Sequence, residues 1–240
     1  MKNALVALTT LAILTCTALP ARADEYAYHR TLDRSAPASG ATALDVTGYN
    51  GDVSLVADGG DTVRVRAVLK GRSTDAVNAL DVGVSRQGNA VRVQDVCPSQ
   101  RRLFFWTFAD CDIELEVHYP RALALTLQSQ NGDIDVQSPA GSVSITNGNG
   151  DVTITGATTD INLSNGNGDV TAKLAKNWRG REIRMHGSAG DVELYVPSDF
   201  AARYNMKVML GEVSNNAKRQ SGPVSVIMSA RFGNVDVLPE

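Results

Sequence analysis

The chain has 240 residues, of which 43% are hydrophobic, 20% charged and only 5% aromatic, with a formal net charge of -3. That is too apolar and too weakly charged for a disordered chain, and long enough for one sizeable domain with a core. The slightly acidic balance argues against a broad nucleic-acid or anionic-membrane surface.

Residues 1–23 read as a secretory signal. Lys2 gives the positive start and Ala4 to Leu14 the apolar run, which is shorter than the roughly 20 residues of a membrane span. Ala21-Arg22-Ala23 after Pro20 gives the small-x-small pattern, so cleavage is predicted after Ala23. Lipidation at Cys16 is the competing reading, and Thr15 before it fits that poorly. Cleavage removes Lys2 and Arg22 and no acid, so 23 basic residues fall to 21 against 26 acidic ones. The expected location is periplasmic or secreted, with no membrane-spanning helix in the mature chain. Residues 24–40 are polar, with Pro37 and Gly40, and read as a flexible leader. Residues 41–240 read as a single domain.

Strand-like runs follow at Ala41–Val46, Val53–Val56, Val63–Val68 and Ala90–Val93, with Gln87-Gly88-Asn89 as a hairpin-type turn. Ser73-Thr74-Asp75 could cap one short helical turn through Leu80. Ile113, Leu115, Val117 and Tyr119 alternate on one face of a further strand.

Cys97 and Cys111 are the two cysteines of the mature chain. In an oxidising compartment they should pair, closing a 15-residue loop. The segment they bound, residues 96–112, holds Arg101, Arg102, Phe104, Phe105, Trp106 and Phe108, three of the five Phe and one of the two Trp. Leu103 to Trp106 do not alternate, so both faces are apolar. Rigid aromatics beside arginine make good binding hot spots. The same cluster could also be a lid that folds back over one open end or side of the stack. Trp178, near Lys176, Arg179 and Arg181, marks a longer interval with a bulged basic loop and is a second contact candidate.

From residue 131 the sequence repeats itself. Asn131-Gly132-Asp133, Asn149-Gly150-Asp151, Asn167-Gly168-Asp169 and Gly190-Asp191 are one motif, and Gly211-Glu212 and Gly233-Asn234 are weaker copies. The glycines are 18, 18, 22, 21 and 22 residues apart. Within each interval apolar residues alternate with polar ones, as in Val152-Thr153-Ile154-Thr155 and Ile161-Asn162-Leu163-Ser164. Each interval therefore holds two short strands with one buried face, and the Asn-Gly and Gly-Asp pairs supply the turns. An antiparallel meander would not require identical turns. A parallel β-solenoid, β-helix- or β-roll-like, stacks like on like every ~4.8 Å and does. The predicted fold is all-β, with coils of about 18–22 residues behind a strand-rich N-terminal part. Asn234 to Pro239 should form the last rung, blunted by Pro239.

Together with Asn50-Gly51-Asp52-Val53, these steps make the chain resemble the bacterial putative-adhesin family of β-strand-repeat proteins, over roughly residues 41–238. The resemblance implies a β-solenoid-like fold and an envelope location. It implies no established activity, and the aromatic segment between the cysteines is not part of the family pattern.

The residues offer little catalytic machinery. Asp133, Asp151, Asp169 and Asp191 would stack into a carboxylate ladder. Calcium could offset their repulsion, but the spacing lacks the nonapeptide period and the Gly-Gly of calcium-binding solenoids. The simpler reading is that each Asp faces solvent and caps its own turn. His29, His118 and His186 are scattered without metal-ligand spacing, no G-x-S-x-G elbow occurs, and no cofactor or metal is implied. The expected role is a non-enzymatic envelope scaffold or adhesin-like binding module. Its partner would be an unidentified envelope protein or glycan, not a nucleic acid. The alternative is a carbohydrate-active protein that binds or cleaves polysaccharide on the stacked Asp ladder.

Overall fold

Alternation with period two puts every second side chain of a strand on one face, and this sequence repeats that pattern along most of its length. In the computed structural model, which describes residues 26–48, 50–97, 100–103, 106–109 and 111–240, the result is an all-β chain with mostly parallel strands in two large sheets. The signal segment with Cys16 and its cleavage site, and Phe104 and Phe105, lie outside the described residues.

The N-terminal elements are β1 (Tyr28–Pro37), β2 (Ala43–Thr47), β3 (Val53–Asp58), β4 (Thr62–Gly71), α1 (Thr74–Ala79), β5 (Asp81–Gln87), β6 (Ala90–Val96), β7 (Gln100–Leu103), β8 (Trp106–Ala109) and β9 (Asp112–Pro120). The single helix forms where expected, with the Ser73 side chain accepting the Ala76 N–H at its start. The repeats supply β10 (Ala124–Asn131), β11 (Ile134–Gln137), β12 (Val143–Asn149), β13 (Val152–Ala157), β14 (Ile161–Asn167), β15 (Val170–Leu174), β16 (Glu182–Ala189) and β17 (Val192–Val196). The chain ends with β18 (Ala201–Leu210), β19 (Val213–Asn215), β20 (Arg219–Phe232) and β21 (Val235–Pro239).

From β10 onward, strands alternate between the two sheets, so one repeat makes one coil. Equivalent residues stack. Leu125, Val143, Ile161, Ile183 and Val226 form one inward row of the nine-stranded sheet. Leu55, Val136, Ile154, Ala172, Leu194 and Val237 form one in the ten-stranded sheet. All of these are buried. Two facing rows of aliphatic side chains fill the narrow interior, which is why few aromatics are needed.

β2 and β3 also join this stack, pairing in parallel with β10 and β11. The N-terminal end is closed by strands outside the repeat. β9 runs parallel to β3, β4 antiparallel to β9, and β1 antiparallel to β4, while β5 and β6 finish the other sheet.

Two expectations are corrected. Residues 28–37 of the stretch read as a flexible leader form β1, paired with β4 along its whole length. The strand escaped notice because only Ala36 of its ten residues is buried, so it carries no apolar alternation. Asn234–Pro239 is also not the terminal rung. β21 lies between β17 and β19, and β20 between β16 and β18. The C-terminal coil is thus inserted inside the stack, and the earlier β18–β19 coil forms its end.

Candidate functional site

The repeated turns form a spine. At each one, a side-chain oxygen accepts the backbone N–H of the equivalent residue in the neighbouring coil. Asp52 Oδ1 accepts Asp133 N–H at 2.9 Å, and Asp133, Asp151 and Asp169 each accept the next at 2.8 Å. Asp191 then accepts Asn234 N–H at 2.7 Å, and Asn234 accepts Glu212 N–H at 3.0 Å. The ladder is real, but each Asp caps the following coil and not its own turn. One amide dipole per rung helps to offset the repulsion between stacked carboxylates.

The asparagines run alongside. Asn131 donates to Asn50, Asn149 to Asn131 and Asn167 to Asn149, side chain to side chain, at 2.5, 2.8 and 2.7 Å. Inside the turn, Asn147 and Asn165 are 3% and 2% exposed. Asn165 Nδ2 donates to the Gly150 and Gly168 carbonyls, both at 2.9 Å. The glycines leave room for this. A Cβ on Gly150, at φ +110°, would sit 2.3 Å from the Gly132 carbonyl oxygen. Gly168 stands to Gly150 in the same way, at 2.4 Å. Asn131, Gly132, Asp133, Asn149, Gly150, Asp151, Asn167, Gly168, Asp169, Gly190 and Asp191 are therefore brought together as one structural edge.

Two short strands of the aromatic segment form a sheet of their own. β7 and β8 pair only with each other, antiparallel, with Arg101 opposite Phe108, Arg102 opposite Thr107 and Leu103 opposite Trp106. Cys97 and Cys111 form the expected disulfide at its root, with Cα atoms 6.2 Å apart. Cys111 is 1% exposed, and its carbonyl accepts a bond from Asn50 Nδ2 at 3.3 Å. The disulfide at the base of the hairpin thus has one cysteine buried in the core, hydrogen-bonded to the first asparagine of the ladder.

Trp178 is placed differently from expectation. Its loop does bulge, and Lys176, Arg179 and Arg181 are exposed. The indole, however, turns inward. Its Nε1–H donates to the Thr159 carbonyl at 2.9 Å, and it meets Phe200 edge-on with centroids 5.4 Å apart. It walls a small groove of about 270 Å³ with Pro197, Phe200 and Pro223.

A larger groove, about 460 Å³, lies on the outer face of β1, β4 and β9. Asp33, Arg34, Arg64, Arg66, Glu116 and His118 line it. Arg34 pairs with Asp81, Arg64 with Asp58 and His118 with Glu116. No sequence signal could have assembled it, because one wall is the unforeseen β1. Among the described residues, no group of three or more His, Cys, Asp or Glu could hold a metal ion, and no helix is long and apolar enough to cross a membrane.

Comparison with known proteins places this geometry in context. The family described as Toastrack DUF4097 matches residues 33–229. A crystal structure of a putative cell adhesion protein from Clostridium sporogenes is similar at a TM-score of 0.55, with 10% identity over 89% of this chain and 100% of that one. A putative adhesin from Bacteroides fragilis reaches a TM-score of 0.39 with 14% identity, over 87% and 97% of the two chains. A protein from Parabacteroides distasonis, described as a putative lipid binding protein, reaches 0.36 with 8% identity, over 85% and 96%. No curated protein matches the chain.

Proposed function

We propose, starting from the fact that the chain belongs to the Toastrack DUF4097 family, that it is a non-enzymatic binding module of the cell envelope or its exterior. In this reading a solenoid-type stack is the rigid body and the disulfide-rooted hairpin is the contact element. The observation that carries the proposal is that the hairpin has no ladder partner in either large sheet. β7 and β8 form their own small sheet, while a buried cysteine ties their base to the core. A disulfide that restrains a segment rich in aromatics and arginines would lower the entropic cost of binding through it. The mixed-charge groove beside Arg66 and His118 offers a second, polar surface for a protein or glycan.

Polysaccharide chemistry on the Asp ladder receives less support. One oxygen of each carboxylate from Asp52 to Asp191 is already engaged by a neighbouring amide. The turn role accounts for the positions of these carboxylates.

The test is a pull-down from envelope extract with the mature protein and with a variant carrying Phe104→Ser, Phe105→Ser and Trp106→Ser. Circular dichroism checks that the variant folds. A partner retained by the first and lost by the folded second supports the binding module. A variant that fails to fold makes the aromatic segment a lid. Hydrolysis of a polysaccharide, lost in Asp151→Asn, would overturn the non-enzymatic reading.

A further inference from the structure

The two ends of the stack are finished differently. At the N-terminal end, the edge strand β1 carries Arg30, Asp33 and Arg34 and ends at Pro37, features that discourage further strand addition. The other end carries charge too, at Arg203 and Lys207 of its longer edge strand, but no proline. Its edges are β18 in the nine-stranded sheet and the three-residue β19 in the ten-stranded sheet.

Apolar surface gathers at this end. Among the described residues, six large hydrophobic side chains are exposed, and four of them belong to the last two coils: Met209 at 69%, Leu210 at 63%, Phe232 at 48% and Val213 at 46%. Leu210 and Phe232 are stacked neighbours, at the position that Asn131, Asn149 and Asn167 occupy in earlier coils. The polar ladder has been replaced there by an apolar ridge. The inward residues of β18, Tyr204, Met206 and Val208, are only partly covered. β18 is ten residues long, contains no proline, and has an even register from Ala202 onward.

We propose that two copies of this chain join end to end through β18, paired antiparallel about a two-fold axis at Met206. An edge strand meeting its own copy about an axis normal to the sheet pairs antiparallel, so the interface is self-complementary. The sequence of β18 selects the register. With Met206 opposite its counterpart, Tyr204 lies opposite Val208 and Ala202 opposite Leu210, so every inward position meets an apolar one. On the outer face, Lys207 lies opposite Asn205 and Arg203 opposite Met209. Centring on Asn205 sets Arg203 against Lys207, and centring on Lys207 sets it against itself. Both place like charges in directly opposed positions, which is destabilising. The Met206 register is the longest that avoids this. It adds a strand to the open edge and covers the exposed end of the core.

Mature protein is studied by light scattering and sedimentation from 1 to 100 µM. The expected result is a concentration-dependent dimer. Asn205 is exposed and outward, so its substitutions spare the core. Asn205→Glu places a carboxylate opposite Lys207 in both halves and should tighten the dimer several-fold at low salt. Asn205→Lys should loosen it several-fold, and 0.5 M salt should shrink both effects. Val208→Pro, checked for folding by circular dichroism, should give monomer. A chain that stays monomeric at 100 µM overturns the proposal, as does a dimer indifferent to both Asn205 substitutions. Failure here leaves the hairpin proposal standing, because that rests on the opposite end of the Asn ladder.

Discussion

The carboxylate of Asp151 accepts the backbone N–H of Asp169, 2.8 Å away in the next coil. Asp151→Ala leaves that amide without its acceptor and should cost about 1 kcal/mol. The loss would appear as a lower urea midpoint at unchanged slope. Asp151→Asn keeps an acceptor oxygen and removes one charge from the ladder, so it should cost less. A larger loss for Asn than for Ala would contradict the role assigned to that oxygen.

The same bonds bear on calcium. Amides hold the ladder in place without a cation, so chelator should leave the melting temperature unchanged. A fall of several degrees on chelation, reversed by added calcium, would restore calcium as the element that offsets the stacked charges.

Gly150 and Gly59 separate conformational need from mere composition. Gly150 sits at φ +110° with no room for a methyl group, whereas a Cβ on Gly59 would meet nothing within 4 Å. Gly150→Ala should cost upwards of ~3 kcal/mol or prevent folding, because it combines backbone strain with a clash against the neighbouring coil's backbone. Gly59→Ala should stay within ~0.5 kcal/mol of wild type. Comparable denaturation midpoints for the two variants would show that the turn column tolerates displacement.

Asp112 should make stability depend on pH in an unusual direction. One of its oxygens is buried without a partner. Burial raises its pKa above the ordinary carboxylate value, Lys70 opposite lowers it, and Glu114 and Asp52 raise it again. The net shift is upward, so the native state holds a proton that the unfolded chain has already released. Stability therefore falls as pH rises from the ordinary value of about 4 through the raised native one. Asp112→Asn should be more stable than wild type at pH 7, by a small margin because the group is only partly buried and solvent screens it. Below about pH 3.5 the two should coincide. Equal stability at both pH values would mean that Lys70 fully compensates the burial.

Reducing the Cys97–Cys111 bond should cost about 3 kcal/mol on the chain-entropy model for a 15-residue loop. For a chain of this size that lowers the melting temperature by roughly 6–12 °C. Thermal melts with and without reductant check it. A shift under one degree would mean that pairing and packing hold the hairpin root unaided.

Much of this architecture is legible because repetition is information. Asn149-Gly150-Asp151 and Asn167-Gly168-Asp169 match because each backbone lies on the one before, and the matched turns pointed to parallel stacking. The alternation from Ile113 to Tyr119 gave its buried face correctly, with all four apolar side chains in the core. β1 was invisible for the opposite reason, since an edge strand with one buried side chain has no apolar period to detect. The order of the final coils was hidden too. Gly211 and Gly233 lie in nearly equal intervals, and a repeat that can stack on any neighbour does not record which one it chose. Trp178 read as a contact candidate because its basic neighbours and longer interval mark a bulged loop, while its own indole N–H finds a carbonyl only in the folded chain.

The insertion of β20 and β21 beneath β18 and β19 changes the order in which the stack can close during synthesis. A regular stack can zip up behind the ribosome or the export channel, each coil closing on a finished one. Here residues 201–215 emerge before the strands that seat them, and must wait for residues 219–239. The final segment acts as a keystone. Loss of residues 235–239 would not shorten the stack by one coil; it would remove β21 from between β17 and β19 and leave β19 without its partner, while β18 keeps β20.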